Sequence, residues 1–300
     1  MNVRCSAIAL AAGSGRRMGA GPKKQYLELG GKPLVCHALQ AFEDSFTENV
    51  VLVVPAEDID YCRAEIVERY GFSKVRAVIA GGKERYDSVA AGLRWLDESW
   101  GTGTLTHFSS SGVQSSMLGE KRVSVPVPAD SSPSTHLVFI HDGARPFVTQ
   151  EMLKDLYDAA VVTGAAVAAM PVKNTIKVAD ENGYVISTPD RATLWEMQTP
   201  QVFEFGLIRD CYEKYLEEYV RSESTGTGTL THFSLHDEQT SASEEKRVSV
   251  PVPLTHFTPT DDAQLVERYS DVRVKLVQTS YENLKITSPE DLIVAERLLR

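Results

Sequence analysis

A six-residue apolar run, Ala7 to Ala12, breaks into a loop holding Gly13, Gly15, Gly19 and Gly21, followed by Pro22. An uninterrupted apolar run with turn residues at its end reads as a buried strand. The loop carries Arg16, Arg17, Lys23 and Lys24, and no acid lies between Ala11 and Leu27. Glycines let backbone N–H groups approach an anion, and cations on the same loop supply opposing charge. On a chain of formal net charge −10, this cluster reads as a phosphate loop. The alternative is an ordinary strand–turn with solvated basic residues. The third glycine comes one position late for G-x-G-x-x-G, and the Walker pattern G-x-x-x-x-G-K-[ST] is absent from the loop.

Beyond the loop the chain alternates. Lys32 to Phe42 (KPLVCHALQAF) has apolar residues at helical spacing, with Pro33 suited to a first turn. A strand is expected at 50–54, a helix over 57–70 and a strand from Val75 to Ala80. Gly81-Gly82 opens a helix, KERYDSVAAGLRWL, with Tyr86, Val89, Leu93 and Leu96 on one face. This rhythm is that of a parallel sheet covered on both sides, which binds ligands where strands end and helices begin. Gly81-Gly82 is therefore a second candidate ligand loop.

Further on, a strand Leu137–His141 runs into DGARPFV, a helix at 150–163 is ended by Gly164, and a strand follows at 165–172. Two short runs around Asn182-Gly183 predict a β-hairpin. Residues 188–203 (TPDRATLWEMQTPQVF) read as a lead-in to an amphipathic helix near 205–220, with Trp195 in the core. A short helix at TPTDDAQLVERY and a core strand at VRVKLVQ come next, then a helix opened by the capping pattern Ser288-Pro289-Glu290-Asp291.

Two stretches interrupt this order. GTGTLTHFS occurs at 101–109 and 226–234, and EKRVSVPVP at 120–128 and 245–253, each pair offset by 125 residues. Two distant copies cannot stack as a solenoid, which needs at least about three adjoining repeats. They read as surface loops inserted into a single domain spanning 1–300, at about 98–134 and 222–257, with a short strand at RVSVPV. His107 and His232, one in each copy, read as incidental rather than as metal ligands.

Bulk properties exclude several classes. The acidic balance, with pI near 5.3, argues against nucleic acid or a membrane surface as partner. No apolar stretch approaches the roughly 18 residues of a membrane helix, and no secretory signal pattern is present. A cytoplasmic protein is expected. Cys5, Cys36, Cys62 and Cys211 are scattered without C-x-x-C spacing, as expected of buried free thiols rather than a zinc site.

In order along the chain, AAGSGRRMGAGPKKQYLELGGKPL, GGKERYDSVAAGL, HDGARPFV, NTIK, DRATLWEMQTPQVF, TDDAQLVE and NLKITSPEDL resemble the motifs of the 2-C-methyl-D-erythritol 4-phosphate cytidylyltransferases. They cover nearly everything outside the two insertions. The resemblance implies a Rossmann-like three-layer α/β/α nucleotidyltransferase with a mostly parallel twisted sheet. It also implies a protruding β-hairpin arm at about 171–192 and a homodimer formed through that arm. The implied reaction transfers CMP from CTP to 2-C-methyl-D-erythritol 4-phosphate, releasing pyrophosphate, in non-mevalonate isoprenoid synthesis. Mg²⁺ or another divalent cation is the implied cofactor.

Site roles follow from the same resemblance. Arg17, Lys24, Arg191 and Lys285 are the implied catalytic residues, with Arg17 and Lys24 neutralising the triphosphate. Lys24 is assigned over Lys23 because it directly precedes Gln25-Tyr26. Ala11, Ala12, Gly13 and Gly15 would approach the nucleotide through backbone, and Gly81, Gly82 and Ser88 would line its cytosine end. Asp142 and Arg145 would hold nucleotide and alcohol phosphate together, with Asp142 the one candidate metal ligand. Lys285 would grip phosphate. Arg191 and Thr175 would complete the alcohol-phosphate site of the partner subunit, and Thr260 would face that substrate.

Blander readings exist for some of these residues. Asp142 and Arg145 could form a surface ion pair, and Lys285 could be merely solvated. Asp261 and Asp262 read as helix N-terminal acids rather than metal ligands, and His141 as structural. A related enzyme class acts on ribitol 5-phosphate and tends to read H-D-A-V-R-P and G-Q-T-P-Q; HDGARP and LWEMQTPQ favour methylerythritol phosphate. A non-catalytic nucleotide-binding scaffold would have lost the cations at 17, 24, 191 and 285, which are all present.

Overall fold

The computed structural model describes residues 3–13, 23–100, 135–225 and 257–299. Gly15, Arg17, His107, His232 and the RVSVPV strand lie outside the described residues.

In chain order, β1 (Arg4–Leu10) is followed by the small β2 (Glu28–Leu29) and β3 (Lys32–Pro33), then α1 (Leu34–Glu43) and β4 (Asn49–Val54). Next, α2 (Ile59–Tyr61) continues into wider π turns at Cys62–Glu68, then come β5 (Val75–Ala80) and α3 (Arg85–Trp100). β6 (His136–Asp142), α4 (Gln150–Thr163) and β7 (Ala165–Pro171) precede the hairpin of β8 (Val178–Ala179) and β9 (Val185–Ser187). The chain returns through β10 (Trp195–Glu204), α5 (Phe205–Thr225), α6 (Ala263–Tyr269), β11 (Lys275–Gln278) and α7 (Pro289–Leu298).

Seven strands form one sheet in the order β11-β7-β10-β6-β1-β4-β5. All neighbours run parallel except β10, which is antiparallel to both β6 and β7. The sheet separates two cores, and side chains divide between them with period two. Ala7, Ala9, Leu52, Leu137 and Phe139 pack with α1 and α4, whereas Ile8, Val51, Val53, Val138 and Ile140 pack with α3 and α5. Both faces are buried, so these strands are apolar over most of their length, and the architecture is the expected three-layer α/β/α sandwich. Gly92 lets α3 lie close on β1, since a Cβ there would come within 2.8 Å of Ile8 Cγ2.

Local signals account for helix ends. The Thr149 side chain accepts a hydrogen bond from Met152 N, and Gly164 ends α4 with φ +77°. Ser288 and Asp291 form a full capping box with Pro289 in the first turn. All four cysteines are buried free thiols.

Three differences from the sequence reading stand out. Residues 195–204 form a long strand between β6 and β7. It escaped notice because Gln198, Thr199, Pro200 and Gln201 interrupt its apolar pattern while being buried. Trp195, at the start of that strand beside Pro171, is half-buried rather than core. Finally, α3 and α5 extend to Trp100 and Thr225, into stretches assigned to the insertions, and Phe257 packs edge-on against Tyr215.

Candidate active site

The carboxyl ends of β1, β4, β5 and β6 meet at one edge of the sheet, and a cleft opens there. Ala11 N donates to Val53 O and Gly143 N donates to Leu10 O, which seats residues 11–13 between β4 and β6. Leu10, Ala11, Ala12 and Gly13 line the cleft with Lys24, Gln25, Glu84, Arg85, Ser88, Asp142, Ala144 and Lys285. Gly81 backs onto this lining. A Cβ at Gly81 would lie 2.5 Å from Ala12 Cβ and 2.7 Å from Ser88 Oγ, so a larger residue would push the backbone of 11–13 into the cleft. Gly82 N donates to Ser88 Oγ at 3.3 Å, and Ser88 Oγ donates to Glu84 O. Ser88 thus reaches the cleft, while the two glycines shape it from behind.

Asp142, the last residue of β6, is the electrostatic centre. Lys285 Nζ lies 2.7 Å from its Oδ2, Arg85 Nε 3.5 Å from its Oδ1 and Arg145 Nε 4.0 Å from its Oδ2. Burial alone would raise this carboxyl, but Arg85, Lys285 and Arg145 hold it well below the ordinary carboxylate range. The aspartate is therefore ionised wherever the protein is folded near neutrality. Asp142 and Arg145 are not a surface pair, since their side chains are each only 11% exposed.

The groups behind Asp142 explain its fixed position. Asp142 N donates to Thr199 Oγ1 at 3.0 Å, and the Thr199 hydroxyl lies 3.1 Å from His141 Nδ1. The other ring nitrogen of His141 lies 3.1 Å from Arg145 O. If Thr199 donates to Nδ1, Nε2 carries the proton for the carbonyl, which is the neutral ring. Burial pushes the His141 pKa down to about 4, consistent with that form and with a structural role. Arg145 Nη1 donates to Asn283 O, Asn283 Nδ2 donates to Thr199 O and Gln198 Oε1, and Ile286 N donates to Ala144 O. These bonds stitch residues 283–286 to the end of β6 and bring Lys285 to Asp142. Lys285 is paired rather than merely solvated.

The two adjacent lysines separate. Lys23 Nζ reaches Glu57 Oε1 and Asp58 Oδ2, both at 2.7 Å. Lys24 lines the cleft, with its Cε 3.7 Å from where a Gly13 Cβ would stand.

Arg85 is a cleft residue that the sequence reading passed over. Its guanidinium grips Asp262 through two bonds of 2.8 and 2.7 Å. Asp262 is wholly buried and also accepts from Tyr212 OH at 2.6 Å. Leaving one member of such a pair uncompensated costs roughly 3–5 kcal/mol. Of the two acids before α6, Asp261 acts as expected at a helix start, accepting from Gln264 N at 3.0 Å. Asp262 does not; it anchors Arg85. The signal was the arginine in GGKERYDS, but its partner lies 177 residues away.

Six described residues of the predicted site are not in this lining: Gly81 and Gly82 lie behind it, Arg145 faces Asp142, and Thr175, Arg191 and Thr260 lie apart. Thr175 and Arg191 are exposed, on and beside the hairpin, and Arg191 Nη1 donates to Lys173 O. Thr260 is exposed just before α6, its N–H donating to Gln264 Oε1. Among the described residues, no three His, Cys, Asp or Glu side chains converge as a metal cage. Asp142 suits Mg²⁺ only in the manner of nucleotide enzymes, where one or two carboxylates join substrate phosphates around the ion.

A cleft of glycine-backed main chain, with Lys24 in its lining and Lys285, Arg85 and Arg145 around one carboxylate, can bind a polyphosphate and stabilise charge that grows during its substitution. Comparison with known proteins agrees. The sequence pattern of the family described as IspD, 2-C-methyl-D-erythritol 4-phosphate cytidylyltransferase, matches residues 5–113, 119–225 and 252–300. A relative from Lachnospira eligens bearing that enzyme name is 36% identical, covering 98% of this chain and 99% of its own. One from Geobacter metallireducens is also 36% identical, over 98% and 97%. Among solved structures, 4-diphosphocytidyl-2C-methyl-D-erythritol synthase from Anaerococcus prevotii superposes with a TM-score of 0.65 at 28% identity, over 99% of this chain and 96% of that one.

Proposed function

The chain belongs to the 2-C-methyl-D-erythritol 4-phosphate cytidylyltransferase family, and from that premise we propose how its cleft transfers CMP from CTP to this alcohol phosphate. The observation that carries the reading is the convergence of Lys24, Arg85, Asp142 and Lys285 at the strand ends beside residues 11–13. An oxygen of the alcohol phosphate attacks the α-phosphorus of CTP. The bond from that phosphorus to the bridging oxygen breaks, and pyrophosphate leaves. The attacking phosphate is largely dianionic near neutral pH, its second pKa being about 6, so no general base is required. His141, buried and neutral, has both ring nitrogens engaged, by Thr199 and by Arg145 O, and takes no part in proton transfer. The obstacle is anion meeting anion, and the catalytic work is positioning and charge neutralisation.

In this reading Lys24, with Arg17 from the preceding loop, neutralises the triphosphate, and Lys285 meets the incoming phosphate. Ala11–Gly13 (with Gly15) and Ser88, shaped by Gly81 and Gly82, hold the nucleotide. Asp142 keeps Lys285, Arg85 and Arg145 in register and is the residue that would hold a divalent cation, which supplies further neutralisation when bound. Thr175 and Arg191 act in the second subunit of a homodimer, where the exposed arm completes the alcohol-phosphate pocket with Thr260. The exposed apolar residues Tyr184, Val185 and Ile186 support such a partner for the arm. Turnover draws on a soluble nucleotide, so the reading includes a cytoplasmic setting.

The test is pyrophosphate release from CTP and Mg²⁺ with methylerythritol phosphate or ribitol 5-phosphate, each offered alone, followed by product identification. Turnover with the first alone is expected. Turnover with ribitol 5-phosphate alone, or with neither, contradicts the reading.

A further inference from the structure

Arg85 stands where two parts of the cleft meet. It opens α3 and lines the cleft beside Ser88, Asp142 and Lys285. Its two terminal nitrogens nevertheless point at Asp262, while its Nε faces Asp142 at 3.5 Å. One planar side chain therefore ties three elements together: the start of α3, the end of β6 and the segment leading into α6. That segment has further anchors. The N–H groups of Asp262 and Ala263 both donate to Gln201 Oε1 at 3.0 Å, and Gln201 Nε2 donates to Asp261 Oδ2 at 3.2 Å. Tyr212 holds Asp262 from the α5 side. Thr260 lies two residues before Asp262, and the second EKRVSVPVP copy ends at residue 253. The position of Thr260 is thus set by bonds formed downstream of the insertion.

We propose that Arg85 is a positioning residue for the alcohol-phosphate half of the cleft: it sets the segment bearing Thr260 against Asp142 and Lys285. The nucleotide half depends on it less, because residues 11–13 and Ser88 are held by β4, β6 and the Gly81 turn. The role requires a guanidinium. A lysine keeps the charge but cannot fork onto both oxygens of Asp262 while facing Asp142. This inference rests on the cytidylyltransferase reading given above.

The test compares wild type, Arg85→Lys, Thr260→Ala and the double variant by KM for each substrate, kcat, and CTP binding by calorimetry. In Arg85→Lys, KM for methylerythritol phosphate is expected to rise about tenfold or more, while KM and Kd for CTP stay within about threefold. The effects of Arg85→Lys and Thr260→Ala on that KM are expected to be non-additive, because the first acts through the second. An equal rise in both KM values, or strictly additive effects, overturns the proposal. If Arg85→Lys does not fold, Tyr212→Phe, which removes one bond to Asp262 from behind, must raise the same KM to a smaller extent. An unchanged KM in Tyr212→Phe then overturns it. A wild-type enzyme that binds CTP but releases no pyrophosphate with methylerythritol phosphate overturns the reading beneath it as well.

Discussion

The cleft and the arm solve opposite problems. In the cleft the central charge is held by several elements: Asp142 is addressed by Lys285, Arg85, Arg145 and Thr199. The arm is almost bare. Every residue from 173 to 188 is exposed, β8 and β9 pair only with each other, and Arg191 is tied to one carbonyl. The arm's internal order comes from its turn, where Asp180 Oδ1 accepts from Asn182 N and Tyr184 N, and Gly183 takes φ +85°. A site assembled from both must draw rigidity from the cleft and reach from the arm. Substitutions should therefore divide: removing Lys285 from the cleft affects chemistry and stability together, and removing Arg191 beside the arm affects substrate capture alone.

The largest effect is expected for Lys285→Ala. Removing a preorganised cation aimed at developing charge lowers kcat by about 10²–10³, measured by pyrophosphate release, and loosens the Asp142 network. Next is acid sensitivity of the cleft floor. His141 titrates at about 4 when folded, because of burial, against 6.5 in its ordinary state. Below pH 6.5 the unfolded chain therefore takes up a proton that the folded ring refuses. Its contribution to stability is complete above pH 6.5 and is lost as pH falls from 6.5 to 4, amounting to about 3 kcal/mol. His136, lowered by burial and by Arg4 to about 3, adds in the same direction. Urea midpoints measured across this pH range check it.

Arg191→Ala should raise KM for the alcohol phosphate roughly tenfold, worth about 1.4 kcal/mol, with KM for CTP unchanged. Its melting temperature should match wild type, since an exposed side chain with one hydrogen bond carries little stability. The smallest effect is expected for Gly183→Ala, which forces a Cβ into a left-handed turn at a cost of about 1 kcal/mol. It should speed amide exchange in the arm and leave exchange in β1 and β6 unaltered.

The buried sheet could be read from sequence wherever its strands are apolar on both faces, as in Ala7–Ala9 and Val50–Val54, and the edge strand Val75–Ala80 was legible although its Arg76 is exposed. The loop after β1 stood out in the sequence because four glycines and four cations cluster on an acidic chain, and its described ends, residues 11–13 and Lys24, line the cleft. What escaped was polar structure closed over long separations. Strand β10 hides its nature because Gln198, Thr199 and Gln201 are buried to serve the site: Thr199 positions Asp142, Gln198 binds Asn283, and Gln201 binds the segment before α6. Arg85 looked like any charge at a helix start, and Asp262 like any helix acid. Only tertiary contact, across 177 residues, makes them a pair. Lys24 could be chosen over Lys23 from its neighbours, but the acids that claim Lys23 lie 34 and 35 residues on.

Complementation tests the central claim most directly, that a working site takes its cleft from one subunit and its arm from another. Lys285→Ala and Arg191→Ala proteins, each deficient alone when methylerythritol phosphate is well below KM, are mixed, dissociated and reassociated, and then assayed at that concentration with CTP. If the site is shared in a twofold homodimer, half the dimers are mixed and each has one intact site. Activity then recovers to about a quarter of wild type. No recovery above the sum of the two variants would show that cleft and arm act within one chain, and would contradict the account.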